Sequence, residues 1–533
     1  MSDQDPMPTS GGDAEAAAGA PARATGGRVR LAAGALGTAA LLTLSFPPAD
    51  LWPLAFVALA PIAAVLEGRP PRAGFAAGWL AIVGLGVGGA GWLLHALVVE
   101  YGVAPAAAAV FSAAVFAAHG LVAGAALALY AGLRPALGPR TAPWLLAVLW
   151  LLAEWVRSAP LATPWLLIGH ALAAAPLWVQ PAEFGGALAV GLVPAALGAA
   201  LGIGVRRRSW RALVAPALLL GVGAAFGAWR LAGPEPEGHV RVGVVQASVP
   251  PAERFQPGSA ARNTALHLEA TRALLAEGPL DLVVWSETAV DDDLAESPAL
   301  AARLAAQVDT SGVPLVTGAP LRADGSLVNA VVLFAPGGGL VERYAKQRLV
   351  PFSEGDPAWG AWLAPLVPEL TRGLPYVAGR EPTVFRRAPL PFAAPVCFEI
   401  TYPDLVREFR SAGAELLVNV SNDAWFGRTG YGEIHLRHAV FRAVELRTWV
   451  VRGANTGISA VIDPTGRVRE RLPLFAQGTL AAAVGGAGEP TLYGRAGDAP
   501  VLALLLAALA ATALASRGGL RGAAARAGGR RTG

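Results

Sequence analysis

A chain of 533 residues with 54% hydrophobic and only 15% charged side chains is too apolar for a single water-soluble protein, since soluble domains carry roughly 25% charged residues. The formal net charge of +4 resides mostly in arginines flanking apolar runs, which leaves no basic face for nucleic acid. A single cysteine excludes an intrachain disulfide, so the compartment has to be read from topology.

Residues 1–28 are rich in Ala, Gly and Pro and lack the apolar core of a signal peptide; they predict a disordered cytoplasmic tail. Seven apolar stretches follow, at 29–46, 51–67, 74–97, 105–133, 143–157, 185–205 and 211–231, and an eighth at 499–516 precedes a basic tail at 517–533. Spanning a bilayer takes roughly 20 apolar residues. Arginines cluster before the first stretch (Arg23, Arg28, Arg30), then at Arg69 and Arg72, Arg134 and Arg140, Arg206–Arg208 with Arg211, and after residue 516, whereas the alternate loops near 47–50, 98–104 and 158–184 hold no Lys or Arg. The positive-inside rule then predicts eight spans, both termini cytoplasmic and the region between spans seven and eight extracytoplasmic. A transporter would show ionisable groups at mid-membrane. Here the spans offer only His95, His119 and a Glu154–Arg157 pair one helical turn apart, read as structural.

The water-exposed region, 238–485, is long enough for one domain with a full core. Short β-branched runs at Val240–Val245, Leu282–Trp285, Pro314–Thr317, Ala330–Phe334, Pro395–Cys397 and Leu416–Val420 alternate with helix-length segments at Ser259–Ala276, Pro298–Val308 and Pro403–Ser411. That alternation predicts a layered α/β domain, and continuous rather than alternating apolar runs predict strands covered on both faces.

Three places in this region carry chemistry. The run Leu282-Val-Val-Trp-Ser-Glu287 is a buried strand ending on a carboxylate; Lys346 leads into Leu-Val-Pro-Phe-Ser-Glu354; and Pro395-Val-Cys397-Phe-Glu399 is a strand turning into a helix. A cysteine at such a turn stands like a nucleophile, with the helix N-terminus expected to favour thiolate. A carboxylate can act as its general base, and a lysine can hold an oxyanion. Taken singly, each residue has a blander reading: an inert core thiol, a strand-end cap, a solvated cation.

At these residues the chain resembles the carbon–nitrogen hydrolase (nitrilase) superfamily, and with eight spans around them it resembles the apolipoprotein N-acyltransferases of bacterial envelopes. The resemblance runs from about residue 30 to 516 and rests on the Trp-x-Glu strand end, Lys-x-x-Leu-Val-Pro-Phe-x-Glu, Cys-x-Glu and Asn419-Val-Ser-Asn422-Asp423-Ala-Trp425-Phe426-Gly427. It implies an α-β-β-α sandwich, with Glu287 as general base, Lys346 as oxyanion stabiliser and Cys397 as nucleophile. Glu354 and Glu399 become supporting carboxylates, and Trp425 and Phe426 belong to a mobile loop over the site. Two positions depart from the family pattern: Phe398 follows the cysteine where the best-known members carry Tyr, and Phe255 stands where they carry Trp. Both keep a ring that can line an acyl chain.

The implied reaction is a ping-pong acyl transfer without metal or cofactor. A phospholipid, phosphatidylethanolamine by resemblance, gives its acyl chain to Cys397, and the α-amino group of a diacylglyceryl-cysteine apolipoprotein accepts it. A monomer in the inner membrane, with its catalytic domain in the periplasm, fits these two lipid-anchored partners. The loops at 98–104 and 158–184 are expected to line a lipid path, and Trp144, Trp150, Trp155, Trp165 and Trp178 to mark interfacial depth. The alternative is a membrane-anchored amidase using the same three residues on a small amide, for which one helix would suffice.

Overall fold

The computed structural model describes residues 12–529, apart from positions 161, 255, 324, 352, 356–368 and 370–375. Phe255 and residues 1–11 of the expected tail therefore lie outside the described residues.

Proline sets many helix starts: Pro71, Pro105, Pro143, Pro298 and Pro403 each occupy the first turn of a helix, where a missing N–H costs no intrahelical bond. The apolar half contains helices Gly12–Leu44, Pro71–Gly89, Gly91–His95, Pro105–Leu133, Ala142–Ser158, Ala182–Arg207 and Val214–Leu231, and Ala499–Gly529 follows the polar domain. Residues 12–28, expected to be disordered, belong to the first helix; Ala14, Ala16, Ala17, Ala18 and Ala20 supply the propensity. The stretch at 51–67 is a 3-10 turn, Trp52–Val57, and a short helix, Ala60–Val65, because Pro53 and Pro61 interrupt the ladder. Among the described residues four helices are long and apolar enough to cross a bilayer, Pro71–Gly89, Pro105–Ala136, Ala182–Arg207 and Trp210–Leu231; Trp52–Val65, Gly91–Glu100 and Ala499–Leu514 are apolar but shorter. The chain is a membrane protein, although the expected eight spans are not eight long apolar helices. Close packing rests on small residues: a Cβ on Gly74 or Gly78 would fall 2.2 or 2.3 Å from the carbonyls of Leu127 and Ala123 on helix Pro105–Leu133.

The two ends of the bundle differ in chemistry. At one end Glu67 accepts from Arg134 and from Arg207 Nε at 2.9 Å, and Arg69 donates to the Gly27 carbonyl at 3.2 Å. At the other end the arginine-free loops meet the polar domain. Asp50 pairs with Arg437, the Ala171 carbonyl accepts from Arg437 at 3.1 Å, and Gln180 donates to the Thr465 carbonyl at 2.8 Å. Glu183, just before a helix break at Gly185 and Gly186, accepts from Arg447 at 2.8 Å. Helix Tyr431–Leu446 is buried in this seam except at Glu433.

Among the described residues the polar domain holds eleven strands in two sheets. Strands β1 (Val240–Gln246), β2 (Leu282–Val284), β3 (Leu315–Ala323), β4 (Ser326–Ala335), β5 (Gly339–Ala345) and β11 (Gly478–Val484) form a six-stranded sheet in the order β11-β1-β2-β3-β4-β5. Strands β6 (Phe392–Ala393), β7 (Leu416–Ser421), β8 (Trp449–Ala454), β9 (Ala460–Ile462) and β10 (Val468–Arg471) form the second, ordered β10-β9-β8-β7-β6. Each has a parallel centre, β1-β2-β3 and β6-β7-β8, extended by antiparallel strands. Because side chains alternate along a strand, Val331 and Leu333 enter the core between the sheets, while Ala330, Val332 and Phe334 enter a second core. Helices Ser259–Ala276 and Pro298–Ser311 cover that second core, and helix Tyr431–Leu446 packs on the other sheet. Both faces of the strands are thus apolar, the reason these runs do not alternate, and burying each Val or Leu contributes roughly 1.5–3 kcal/mol. This is the nitrilase-like layered architecture. The inter-sheet core is continuous with that of the helical bundle.

Candidate active site

Parallel strands leave their C-terminal ends open to a ligand, and the reactive side chains gather there. Trp285 is driven into the outer core and donates its indole N–H to Thr271 at 2.9 Å; β2 has ended at Val284, so Glu287 escapes the strand's alternation and turns to Lys346, 3.2 Å away, just before Thr288 at φ +47°. Gly318 on β3 makes room for this turn, since a Cβ there would lie 2.7 Å from the Glu287 Cα. Lys346 follows β5 directly and donates its backbone N–H to the Asn329 carbonyl on β4 at 2.9 Å. Cys397 comes after β6 and a single bridge, Val396 to Val420, at the first residue of a 3-10 helix, Cys397–Thr401. It holds φ +53°, the left-handed region that side chains avoid.

Lys346 Nζ lies 3.2 Å from Glu287 Oε1 and 2.8 Å from Glu354, and Asn329 Nδ2 donates to the same two carboxylates at 2.9 and 2.8 Å. The ammonium also sits 5.4 Å from the centroid of the Phe398 ring. Lys346 is 1% exposed, Glu287 6% and Cys397 7%. Burial opposes the charge on Lys346, but Glu287 and Glu354 more than offset it and hold the ammonium well above its ordinary range. For Cys397 the expectation of a helix-favoured thiolate is reversed. Burial, then the Glu287 carboxylate, push the thiol far up, and Lys346 only partly compensates. A five-residue 3-10 helix has too little dipole to resist that. Cys397 is thus held as a thiol.

Glu399 joins the two halves of the site. It is fully buried and accepts from Val396 N–H at 2.7 Å, Gln347 N–H at 2.7 Å, Arg348 N–H at 2.9 Å and Tyr344 O–H at 3.0 Å. One carboxylate therefore ties the Lys346 segment to the cysteine turn, and burial pushes it up to about 7 against the pull of those donors.

Behind the cysteine lies a network that sequence reasoning missed. Asn419 Nδ2 donates to the Pro395 and Cys397 carbonyls at 2.8 and 3.2 Å, and His435 Nε2 donates to the Cys397 carbonyl at 3.2 Å. The fully buried Arg452 guanidinium donates to Asn419 Oδ1, to Asp423 Oδ2 at 2.7 Å and to His435 Nδ1 at 3.0 Å. A carbonyl only accepts, so His435 carries its proton on Nε2. Burial and Arg452 push His435 down, opposed by Asp423, whose Oδ1 lies 3.0 Å from the same Nδ1, while Arg452 holds Asp423 well below the carboxylate range in spite of burial. Asn329 and Arg452 were nonetheless visible as polar residues inside otherwise apolar strands, a pattern that burial makes costly unless it is paired.

The expected loop residues meet the helical bundle. Trp425 stacks on Tyr101 at 5.3 Å, Tyr101 bonds Ser353 at 2.9 Å, and Phe426 stacks on Tyr431 at 3.6 Å while meeting Trp92 edge-on at 5.5 Å. Trp165 completes this cluster, 5.5 Å from Trp92. Trp150 and Trp155 instead donate to Glu154 and Asp498, at 2.9 and 3.2 Å. Glu154 and Arg157 each clamp the following loop, accepting from Ile168 N–H at 2.9 Å and donating to the Trp165 carbonyl at 3.0 Å. Gly427 has φ +60°, and a Cβ there would lie 2.1 Å from His95 Nε2. Gly427→Ala is therefore expected to unseat Trp425 and Phe426, raising protease sensitivity near residue 427 and lowering turnover about ten-fold, as a 1–2 kcal/mol strain would; unchanged proteolysis and turnover would refute this seating.

Residues 38–200 match the apolipoprotein N-acyltransferase N-terminal domain, and residues 241–487 match the carbon-nitrogen hydrolase family. The chain is 31% identical over 498 residues to the apolipoprotein N-acyltransferase of Geobacter metallireducens, covering 90% of this chain and 94% of that protein. It is 32% identical over 472 residues to that of Azotobacter vinelandii (84% and 87%) and 31% over 492 residues to that of Pseudomonas aeruginosa PAO1 (84% and 88%). Among solved structures, an amidase from Nesterenkonia sp. aligns with 50% of this chain and 95% of its own at 19% identity and a TM-score of 0.38. Similarity of that extent, running through both the helical bundle and the two-sheet domain, means that the chain belongs to the apolipoprotein N-acyltransferase family, a family of acyltransferases.

Proposed function

We propose that the enzyme moves a fatty acyl chain from a phospholipid, phosphatidylethanolamine, to the N-terminal amine of a diacylglyceryl-cysteine apolipoprotein through a thioester on Cys397. The observation that carries this reading is the juxtaposition of Glu287, Lys346 and the Cys397 turn in a buried cluster at the seam between the two-sheet domain and apolar helices. Glu287 takes the thiol proton as Sγ attacks the ester carbonyl. Lys346 Nζ, with a backbone N–H at the start of the 3-10 helix, stabilises the oxyanion. The ester C–O bond breaks, Glu287 returns the proton to the leaving lysophospholipid oxygen, and the acyl group stays on Sγ. The apolipoprotein amine then attacks the thioester, Glu287 accepts its proton, and as the amide forms Sγ leaves and takes that proton from Glu287, restoring the thiol. Glu354 holds Lys346, Glu399 holds the cysteine turn, and Phe398, Trp425 and Phe426 line the acyl path. No cofactor takes part.

The same reading assigns a seven-helix segment at 29–231, the catalytic domain at 238–485 and a last span at 499–516, in a monomer. Eight passes put the domain in the periplasm and both termini in the cytoplasm of an inner-membrane protein. Support comes from the arginine-bearing segments meeting at Glu67 while the arginine-free loops touch the domain. Holding both lipid-anchored substrates at one surface replaces a three-dimensional encounter with lateral diffusion.

Incubating the purified enzyme with phospholipid carrying a radiolabelled acyl chain should leave label on Cys397 as a hydroxylamine-sensitive thioester, chased off by a diacylglyceryl-cysteine peptide. Absence of label together with turnover of small amides would replace this reading with that of a membrane amidase.

A further inference from the structure

We propose that His435 is a positioning residue for the nucleophile, acting through the Cys397 carbonyl. The Cys397 carbonyl belongs to a buried residue in the left-handed region and must be paired. Two side-chain donors meet this one, Asn419 Nδ2 and His435 Nε2, both at 3.2 Å. Both are aimed by the same guanidinium, since Arg452 donates to Asn419 Oδ1 and to His435 Nδ1 at 3.0 Å. Asp423 fixes Arg452 in turn at 2.7 Å, and Asp423 accepts from Ser421 at 2.8 Å. Every member is buried, so the device has one geometry rather than a family of them.

The consequence reaches the reacting atoms through one peptide unit. The carbonyl of Cys397 and the N–H of Phe398 are its two ends, and the first N–H groups of a helix have no intrahelical acceptor. Hydrogen bonds on the carbonyl polarise that N–H, the backbone donor that the acyl-transfer reading places at the oxyanion. His435 thus fixes where Sγ stands and strengthens the donor facing the oxyanion without touching substrate. The inference deepens the proposed acyl transfer and rests on it for the second readout below, not the first.

The test compares His435→Leu, which deletes the donor, with His435→Gln, which keeps an N–H at similar reach. Because Cys397 is the only cysteine, its alkylation by iodoacetamide reports on this thiol alone and needs no lipid. In His435→Leu, alkylation and thioester formation from labelled phospholipid should both fall at least ten-fold with the phospholipid KM unchanged. His435→Gln should regain most of both rates although its melting temperature drops as far as that of His435→Leu. Equal losses in the two variants, losses that only track the unfolded fraction, or unchanged rates would overturn the proposal. If the wild-type enzyme alkylates but takes no label from phospholipid, the acyl-transfer reading fails while the alkylation comparison still decides the role of His435.

Discussion

Cys397→Ser is expected to leave a folded enzyme in the membrane whose acyl-enzyme formation falls by about 10⁴-fold or more, the scale seen when a nucleophile is lost from a cooperating set. The substitution is nearly isosteric, so the buried turn at φ +53° and its carbonyl partners should survive. What changes is the proton. Burial and Glu287 already push the thiol far above its ordinary range, and a hydroxyl in the same place would be harder still to ionise. For the same reason, wild-type alkylation by iodoacetamide should be slow at pH 7 and still rising at pH 9, since a group held up loses its proton only as the pH climbs toward it. Mass spectrometry of enzyme incubated with labelled phospholipid checks the first expectation. A serine variant that retained an ester-linked acyl chain at more than a few per cent of the wild-type rate would remove Cys397 from the chemistry.

Lys346→Met should cost less in rate and more in stability. Removing an oxyanion donor costs roughly 10²–10³ in rate. Breaking a buried ion pair from one side costs about 3–5 kcal/mol, because the partner charge is left without compensation. Here two partners are left, Glu287 and Glu354, sharing the amide of Asn329 at 2.9 and 2.8 Å, with the Val350 N–H also on Glu354 at 2.8 Å. The double variant Lys346→Met with Glu354→Gln separates the two effects. It removes one stranded carboxylate and supplies an amide donor, so it should recover most of the lost melting temperature and none of the lost rate. Recovery of both together would mean that Lys346 serves folding alone.

Much of the architecture was legible because solvent writes it into composition. Helices Ser259–Ala276 and Pro403–Ser411 were expected with their observed bounds, since Gly258, Pro403 and the apolar spacing punctuate the chain locally. The span at 51–67 was not, because hydropathy counts apolar residues and overlooks prolines that break the ladder. The disordered reading of residues 12–28 failed in the opposite sense, where helix propensity outweighed polarity. Glu287, Lys346 and Cys397 stood out in the sequence because Glu287 and Cys397 end apolar runs and Lys346 precedes one. Their meeting did not, because Lys346 and Cys397 are brought together by Glu399 bonding backbone on both sides.

The sequence by itself determined that the first part of this chain is built from apolar, membrane-suited helices, that one layered α/β domain follows it, and which residues were available for acyl transfer. Those follow from composition and spacing, which act locally. Only the tertiary structure decided that the thiol rests protonated, that one guanidinium aims two donors at the Cys397 carbonyl, and that Tyr101, Trp92 and Trp165 from the bundle close over Trp425 and Phe426. The physical reason is common to all three: desolvation, hydrogen-bond direction and ring stacking depend on which distant segments share a few ångströms of buried space.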